Sequence, residues 1–154
     1  MGRYGVGVIQ TAIDATIIGT QGVAEIKGGV SHRVAYQDQV VGHEGTPPVD
    51  FPVRWLLQRT TAAAAVGGAV VENQADPADV AATAVVLEEL TTGPTLVADA
   101  QLLDFPVNTR GTFRWVAGPD GALIIAAVAN EGFLLNASSV SYADIASATF
   151  HWDE

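Results

Sequence analysis

The chain lacks cysteine entirely, so it can form neither a disulfide bond nor a thiolate that binds metal or attacks a substrate. It also lacks an apolar run long enough to span a membrane, and it does not begin with the charged region and apolar core of a signal peptide. At 154 residues it is long enough to bury about 70% of its unfolded surface without covalent staples. We therefore expect a protein that is made in a cytoplasm, binds no membrane and folds around an ordinary hydrophobic core.

Charged residues are scarce as well. They make up 16% of the chain, and Lys27 is the only lysine beside six arginines, whereas an ordinary soluble domain is about 25% charged. Protein interfaces are depleted in lysine and glutamate and enriched in arginine, so this composition indicates a surface that contacts other proteins. A genome that favours alanine and threonine would produce the same numbers, and that alternative stays open.

The sign of the charge narrows the choice of partners. The formal net charge is −10 at pH 7, whereas nucleic-acid binding needs clustered lysine and arginine to contact phosphates. The composition therefore argues against a nucleic-acid partner, and any charged partner should be basic.

Motifs for catalysis, metals and cofactors all fail on inspection. His43 opens a zinc-protease pattern, but Pro47 stands where the second histidine belongs. Gly5 and Gly7 begin a dinucleotide fingerprint, but Gln10 stands where the third glycine belongs. There is also no Gly-x-Ser-x-Gly elbow for a catalytic serine. We therefore predict no catalytic residue, no metal site and no cofactor, and we interpret the protein as not an enzyme.

The last third of the chain gives the clearest structural signal. Ala146, Ala148, Phe150 and Trp152 alternate with Ser, Thr and His, which is the period of a strand with one buried face. Upstream, an Arg-aromatic segment at 113–116 and an apolar run at 123–128 flank a Gly-Pro-Asp-Gly turn, and this arrangement predicts a β-hairpin.

The spacing of these strands predicts the fold class. An Asn-Glu-Gly turn at 130–132 leads into a further strand, so four strands recur about every ten residues. We predict an all-β protein built as an antiparallel β-sandwich.

The middle of the chain shows the one credible helix start. Asp76 is a good N-cap, proline occupies the first helical position, and Asp79 lies in the first turn. We predict at most one short helix near residues 77–83. Two strands should follow, one that ends at Gly93 and one over residues 96–103.

The first third is the hardest part to interpret. Residues 1–42 are predicted to be strands or an extended N-terminal arm, because they are rich in Val, Ile, Thr and Gly. A turn-rich and proline-rich segment at 42–48 is the best boundary, which would leave residues 43–154 as the sandwich body. A single domain over residues 1–154 is the alternative.

Arginine and tryptophan dominate the contact hot spots of interfaces, and several of them lie side by side in the predicted strands. Trp55, Trp115 and Trp152 either pack in the core or line a sugar-binding face, and their alternating positions favour the core. The candidate interface residues are Arg54, Trp55, Arg59, Arg110 and Arg114.

Four segments give the chain a resemblance to a known group of proteins. They are Asp76-Pro77-Ala78-Asp79, the turn at 114–119, the strand start at 130–135 and the acidic end at 148–154. Over about residues 50–154 the chain resembles the small virion structural proteins of tailed bacteriophages, of the capsid decoration or cement type. The resemblance implies a jelly-roll-like β-sandwich that forms a homo-oligomer, with a trimer favoured.

The same resemblance implies a function and a location. The protein is expected to be part of the virion and to contact other virion proteins, such as a major capsid protein. It would stabilise the shell by protein–protein contacts alone. The alternative is a carbohydrate-binding or receptor-binding β-sandwich, such as a tail-tip or lectin-like module.

Overall fold

The computed structural model describes residues 2–10, 22–44, 50–61, 66–139 and 145–154. These residues form twelve β-strands and no helix, so none of them belongs to a helix that could cross a membrane. The strands are β1 (Arg3–Gln10), β2 (Ala24–Lys27), β3 (Val34–Glu44), β4 (Pro52–Thr60), β5 (Val66–Val70), β6 (Asn73–Gln74), β7 (Val85–Thr92), β8 (Leu96–Asn108), β9 (Phe113–Val116), β10 (Leu123–Ile125), β11 (Gly132–Ser138) and β12 (Ile145–Asp153).

The strands form two antiparallel sheets that pack face to face. In sheet A, β12 lies between β3 and β1; β9 and β10 both border β3, and β6 borders β1. Sheet B has the order β5-β7-β2-β11-β4-β8. The chain alternates between the sheets from β1 to β4 and again from β11 to β12, which is jelly-roll connectivity once β9 and β10 are taken as one edge. The predicted β-sandwich is confirmed, and β5, β6 and β7 are additions between β4 and β8.

The core lies between the two sheets and is rich in aromatic rings. The predicted alternation in β12 is confirmed, because Ala146, Ala148, Phe150 and Trp152 are all buried. Trp152 stacks on Tyr4, with ring centroids 5.8 Å apart. Aromatic pairs of this kind contribute about 0.5–1.5 kcal/mol beyond the area they bury, so this pair stabilises the β1–β12 contact within sheet A. Between the sheets, the Tyr36 ring of β3 meets the Phe133 ring of β11 edge to face, with centroids 5.8 Å apart.

Sheet B is buried on its second face as well, at its centre. All seven residues of β11 are buried, and Leu134 packs there with Leu87 and Leu90 in a second apolar cluster on the outer face. A strand that is covered on both faces has no polar side to alternate with, so its sequence is continuously apolar at Phe133 to Leu135.

The prediction for residues 1–42 was strands or an extended arm: strands are present, and the extended arm is wrong for the residues that the structure describes. Strand β1 pairs with β12 over eight residues, β2 lies between β7 and β11, and β3 pairs with β12. The expected boundary after residue 42 falls inside β3, and residues 45–49 lie outside the described part. Strands from residues 1–42 therefore belong to the same two sheets as the body, as in the single-domain alternative.

The predicted hairpin at 113–128 is also wrong, although its turn exists. The Gly121 amide donates to the Gly118 carbonyl at 2.9 Å, and Asp120 has a φ of 61°. However, β9 pairs with residues 38–41 of β3 and β10 with residues 34–36, so the two strands follow each other along one edge. The chain returns to the same edge because β3 extends beyond β9. The backbone N–H and C=O groups at residues 34–36 of β3 are therefore available to pair with β10.

No helix forms at residues 77–83, although the predicted cap is present. The Asp76 side chain accepts a hydrogen bond from the Ala78 amide at 2.9 Å, and its carbonyl accepts one from the Asp79 amide at 3.0 Å. The turn does not continue into a helix, because the amides of Thr83 and Ala84, which a helix would direct to the carbonyls of Asp79 and Val80, donate to the Glu154 carboxylate at 2.8 Å instead. The Tyr4 hydroxyl also donates to the Val80 carbonyl at 2.8 Å, so tertiary contacts override the local helix signal.

Candidate interaction surfaces

A β-bulge in β3 shapes the outer face of sheet A. His151 of β12 pairs with Asp38, but the next residue, Trp152, pairs with Tyr36, so Gln37 is an extra residue in β3. Side chains that normally point to opposite faces are re-aimed at a bulge. As a result Gln37 and Asp38, although adjacent, both reach side chains on the outer face.

Asp38 holds the first of two arginines on this face. The Asp38 side chain is buried, and its two oxygens accept three contacts from Arg114: 3.1 Å from Nε to each oxygen and 2.5 Å from Nη2 to Oδ2. These hydrogen bonds and the negative charge of Asp38 raise the pKa of the Arg114 guanidinium. His151 Nδ1 lies 3.5 Å from Asp38 Oδ2. Arg114 is thus fixed at one end while its side chain stays 63% exposed.

Asp153 holds the second arginine in the same way. Arg3 Nε donates to Asp153 Oδ1 at 3.1 Å, and Gln37 Nε2 donates to Asp153 Oδ2 at 3.0 Å. The Asp153 side chain is 13% exposed, whereas the Arg3 side chain is 68% exposed. Two buried carboxylates therefore orient two guanidinium groups whose outer edges face solvent.

These side chains line a groove of about 410 Å³, which we call the Arg3–Arg114 groove. Beyond His151 it is followed by a second depression of about 360 Å³ along β1. There the His151 ring lies over Gly5, where an added Cβ would be 2.8 Å from the imidazole Cδ2. The groove is lined by Arg3, Gln37, Asp38, Arg114, Val116 and His151.

The arrangement is suited to recognition rather than to acid–base work. Both oxygens of Asp38 and of Asp153 already accept hydrogen bonds from arginine or glutamine, so each carboxylate serves to position its partners. Within the described ranges, no three His, Cys, Asp or Glu side chains are grouped so that they could hold a metal ion. The free N–H groups of Arg3 and Arg114 are donors for a planar, acceptor-rich group.

A second surface lies at one edge of sheet B. Strand β5 has the sequence Val-Gly-Gly-Ala-Val and carries no charge. Among the described strands it pairs with β7 alone. Val66 is 59% exposed. Val70 of β5 pairs with Val86 of β7. Val71, which follows Val70, is 80% exposed, and Val85, which precedes Val86, is 43% exposed. We call β5 with Val71 and Val85 the β5 edge.

The other sheet edges carry the features that prevent strand pairing. Strand β8 has exposed charges at Asp99 and Asp104, an exposed Pro106 and an irregular register. The β9–β10 edge is interrupted by residues 117–122, and β6 is only two residues long. Edge strands are normally blunted by charge, proline, bulges or shortness. The β5 edge has one irregularity in its pairing with β7 but neither charge nor proline.

The five predicted interface residues lie in different surroundings. Trp55 is fully buried in the core, so its side chain offers no surface to a partner. Arg59 Nη1 donates to the Ile124 carbonyl at 2.9 Å, and its guanidinium lies 5.1 Å from the centroid of the Phe133 ring. Arg59 thus connects sheet B to sheet A.

The other three arginines form ion pairs at the surface. Arg54 pairs with Asp104, whose pKa is lowered by the Arg54 hydrogen bond, and Arg110 pairs with Asp50 at 3.0 Å. Exposed pairs of this kind contribute little to stability. Arg114 alone of the five lies in the Arg3–Arg114 groove.

The tryptophans do not form an exposed row that a sugar could stack on. Trp55 and Trp152 are fully buried, and the half-buried Trp115 stacks on Tyr36 with centroids 6.0 Å apart. The core interpretation of these residues is therefore correct for Trp55 and Trp152.

No local pattern in the sequence predicts that Arg3, Gln37, Asp38 and His151 are neighbours. Strict alternation along β3 would have placed Gln37 and Asp38 on opposite faces. Arg3 and Asp153 are 150 residues apart in the chain. Only the bulge and the β1–β12–β3 pairing bring the groove together.

Comparison with known proteins adds nothing to this geometry. No protein-family model matches the chain, and neither the curated proteins nor the solved structures contain a match. Function must therefore be inferred from the two surfaces.

Proposed function

We propose that this protein is a structural subunit of an assembled particle and that it acts by protein–protein contact. Its specific form, implied by the resemblance to small virion proteins, is a capsid decoration or cement subunit of a tailed bacteriophage. Its partners would be further copies of itself and another virion protein, such as the major capsid protein, and its location would be the virion.

The β5 edge is the observation that carries this proposal. An uncharged, exposed edge strand offers a row of backbone donors and acceptors to a further strand, and natural monomers avoid such edges. Val66, Val71 and Val85 add exposed apolar surface beside it. Pairing with another chain would extend sheet B by hydrogen bonds and by apolar burial together.

The occupant of this edge is a second copy of the chain. Each copy carries a net charge of −10, so two copies repel unless they meet where charge is absent. No charged residue occurs between Thr60 and Val71. Strand β5 and Val71 lie within that stretch, so copies that pair along β5 do not place a charged residue of this strand against its equivalent.

The jelly-roll body supports a mechanism of binding alone. Its paired sheets and stacked aromatic rings form a rigid platform, so little ordering cost is expected when the β5 edge engages a neighbour. Subunits that bridge neighbouring positions on a shell would add buried area across the joints between them.

Size measurement of the purified chain tests the proposal. Light scattering after size exclusion should give the mass of an oligomer. Pairing of β5 with β5 alone gives two chains, and three chains, the number that the resemblance implies, needs a further contact between copies. Val66→Glu should shift the mass towards one chain, because it places like charges in the contact.

Val30→Glu is the matched control, because Val30 is 73% exposed but lies in the loop before β3. It should leave the mass unchanged. A single-chain mass for the unmodified protein at every concentration would contradict the proposal. An oligomer that survives Val66→Glu would move the contact away from β5.

A further inference from the structure

The Arg3–Arg114 groove contains ordered arginine side chains that play no part in pairing at the β5 edge. Its two arginines are each anchored through Nε by a buried carboxylate, and Gln37 and Asp38 face it only because β3 is bulged. The guanidinium groups are thus oriented before any ligand arrives, which lowers the ordering cost of binding.

The charge of the groove differs from that of the molecule. Its lining contains two arginines and one aspartate, with His151 beside them. Asp153, which holds Arg3, is the second carboxylate, so the charges of the arginines and carboxylates balance there, while the whole chain carries −10. Arginine presents a planar fork of donors that matches a carboxylate. The ligand should therefore offer a carboxylate to the exposed edges of Arg3 and Arg114.

The remaining lining indicates what surrounds that carboxylate. Gln37 and His151 provide donors and acceptors that suit hydroxyl groups, and Val116 provides an apolar contact for C–H groups. A volume of about 410 Å³ lies within the usual range for a small-molecule site. An acidic peptide side chain would satisfy the arginines but would bring no hydroxyl groups to Gln37 and His151.

We propose that the Arg3–Arg114 groove binds an acidic sugar residue, with its carboxylate on the two arginines and its hydroxyl groups on Gln37 and His151. The site is separate from the β5 edge. Sugar binding and oligomer formation can therefore fail independently.

Arginine Nε–H signals in nuclear magnetic resonance spectra test this directly, because the chain has only six arginines. Titration with glucuronic acid should shift the Arg3 and Arg114 signals in a saturable way. Glucose, which has the ring without the carboxylate, and acetate, which has the carboxylate without the ring, should each bind at least about tenfold more weakly, or about 1.4 kcal/mol. Acetate or inorganic phosphate that binds as well as glucuronic acid would overturn the proposal.

Variants separate the groove from the rest of the surface. Arg3→Gln and Arg114→Lys should each weaken glucuronic acid binding at least about tenfold, since both lose the planar fork. Arg110→Gln removes an exposed arginine that pairs with Asp50 elsewhere, and it should leave binding unchanged. Arg3→Gln keeps the Gln37–Asp153 hydrogen bond, so it tests the groove even if Arg114→Lys destabilises the fold. Unchanged affinity in Arg3→Gln would overturn the proposal.

A further titration shows whether the natural ligand is a glycan or a free sugar acid. A disaccharide with glucuronic acid at its non-reducing end should bind tighter than the monosaccharide if the natural ligand is a glycan. Equal affinities would assign the groove to the free sugar acid.

Discussion

At the scale of single residues, the Glu154 side chain accepts four hydrogen bonds. Its carboxylate accepts hydrogen bonds from the Thr83 amide at 2.8 Å, the Thr83 hydroxyl at 2.7 Å, the Ala84 amide at 2.8 Å and Trp152 Nε1 at 3.1 Å. Burial by itself would raise the pKa of Glu154, but these donors outweigh it and the pKa is lowered. The charged carboxylate thus joins the segment before β7 to the end of β12.

Replacing this carboxylate should produce a pH-dependent loss of stability. Because the pKa of Glu154 is lower in the folded state, its contribution is complete above the unfolded pKa of about 4.3 and is lost as the pH falls through the folded value. At pH 7, Glu154→Gln should lower the free energy of unfolding by about 1–3 kcal/mol.

Chemical denaturation at pH 7 and at pH 3 measures this difference. The gap between the unmodified protein and Glu154→Gln should shrink at pH 3. Glu89→Gln, which changes an exposed carboxylate on β7, is the control and should cost little at either pH. A gap of the same size at both values would show that charge is not what Glu154 contributes.

Sequence patterns predicted residue burial well where one strand decides it, and poorly where distant strands meet. The four inward residues of β12 follow from alternation alone. The partners of Glu154 are 70 and 71 residues away, apart from Trp152, and no local pattern links them. The same holds for Asp38 and Arg114, which are 76 residues apart.

At the scale of strands, two glycines in sheet interiors have opposite surroundings. An added Cβ on Gly132 would lie 2.0 Å from the Ile26 carbonyl oxygen, where β11 and β2 pair. An added Cβ on Gly7 in β1 would meet nothing within 4 Å. Gly132 is therefore required by the close approach of two strands, and Gly7 is not.

Alanine substitutions should separate the two cases. Gly132→Ala must force β2 and β11 apart, so it should lower the free energy of unfolding by about 1–3 kcal/mol. Gly7→Ala should raise it by about 0.4–1 kcal/mol, because it restricts the unfolded chain without a clash. Denaturation midpoints of the two variants measure both effects. Equal destabilisation by both would contradict the packing described for β11.

Local signals fixed the position of most strands but not what each strand pairs with. The Gly-Pro-Asp-Gly turn is present at 118–121, yet turn chemistry does not determine whether the flanking strands pair with each other or with β3. The N-cap at Asp76 is present too, but the Glu154 carboxylate accepts the Thr83 and Ala84 amide hydrogens that a helix would need. The sequence therefore predicted the all-β class and missed the groove, since the groove depends on pairing.

At the scale of the whole molecule, the low content of charged residues and the uncharged β5 edge both favour self-association. Five of the six arginines lie in ion pairs, at the sheet connection through Arg59 or in the Arg3–Arg114 groove. The β5 edge stays free of charge in a chain of net −10. We infer that self-association uses this edge, while the Arg3–Arg114 groove on the outer face of sheet A stays available to a ligand.

Hydrogen–deuterium exchange of the β5 amides, measured above and below the concentration at which the oligomer dissociates, tests this claim most directly. The account predicts that amides of Val66–Val70 exchange slowly in the oligomer and quickly in the single chain. They should also exchange quickly in Val66→Glu at both concentrations. Equal exchange of these amides in both states, with new protection on another surface, would contradict it.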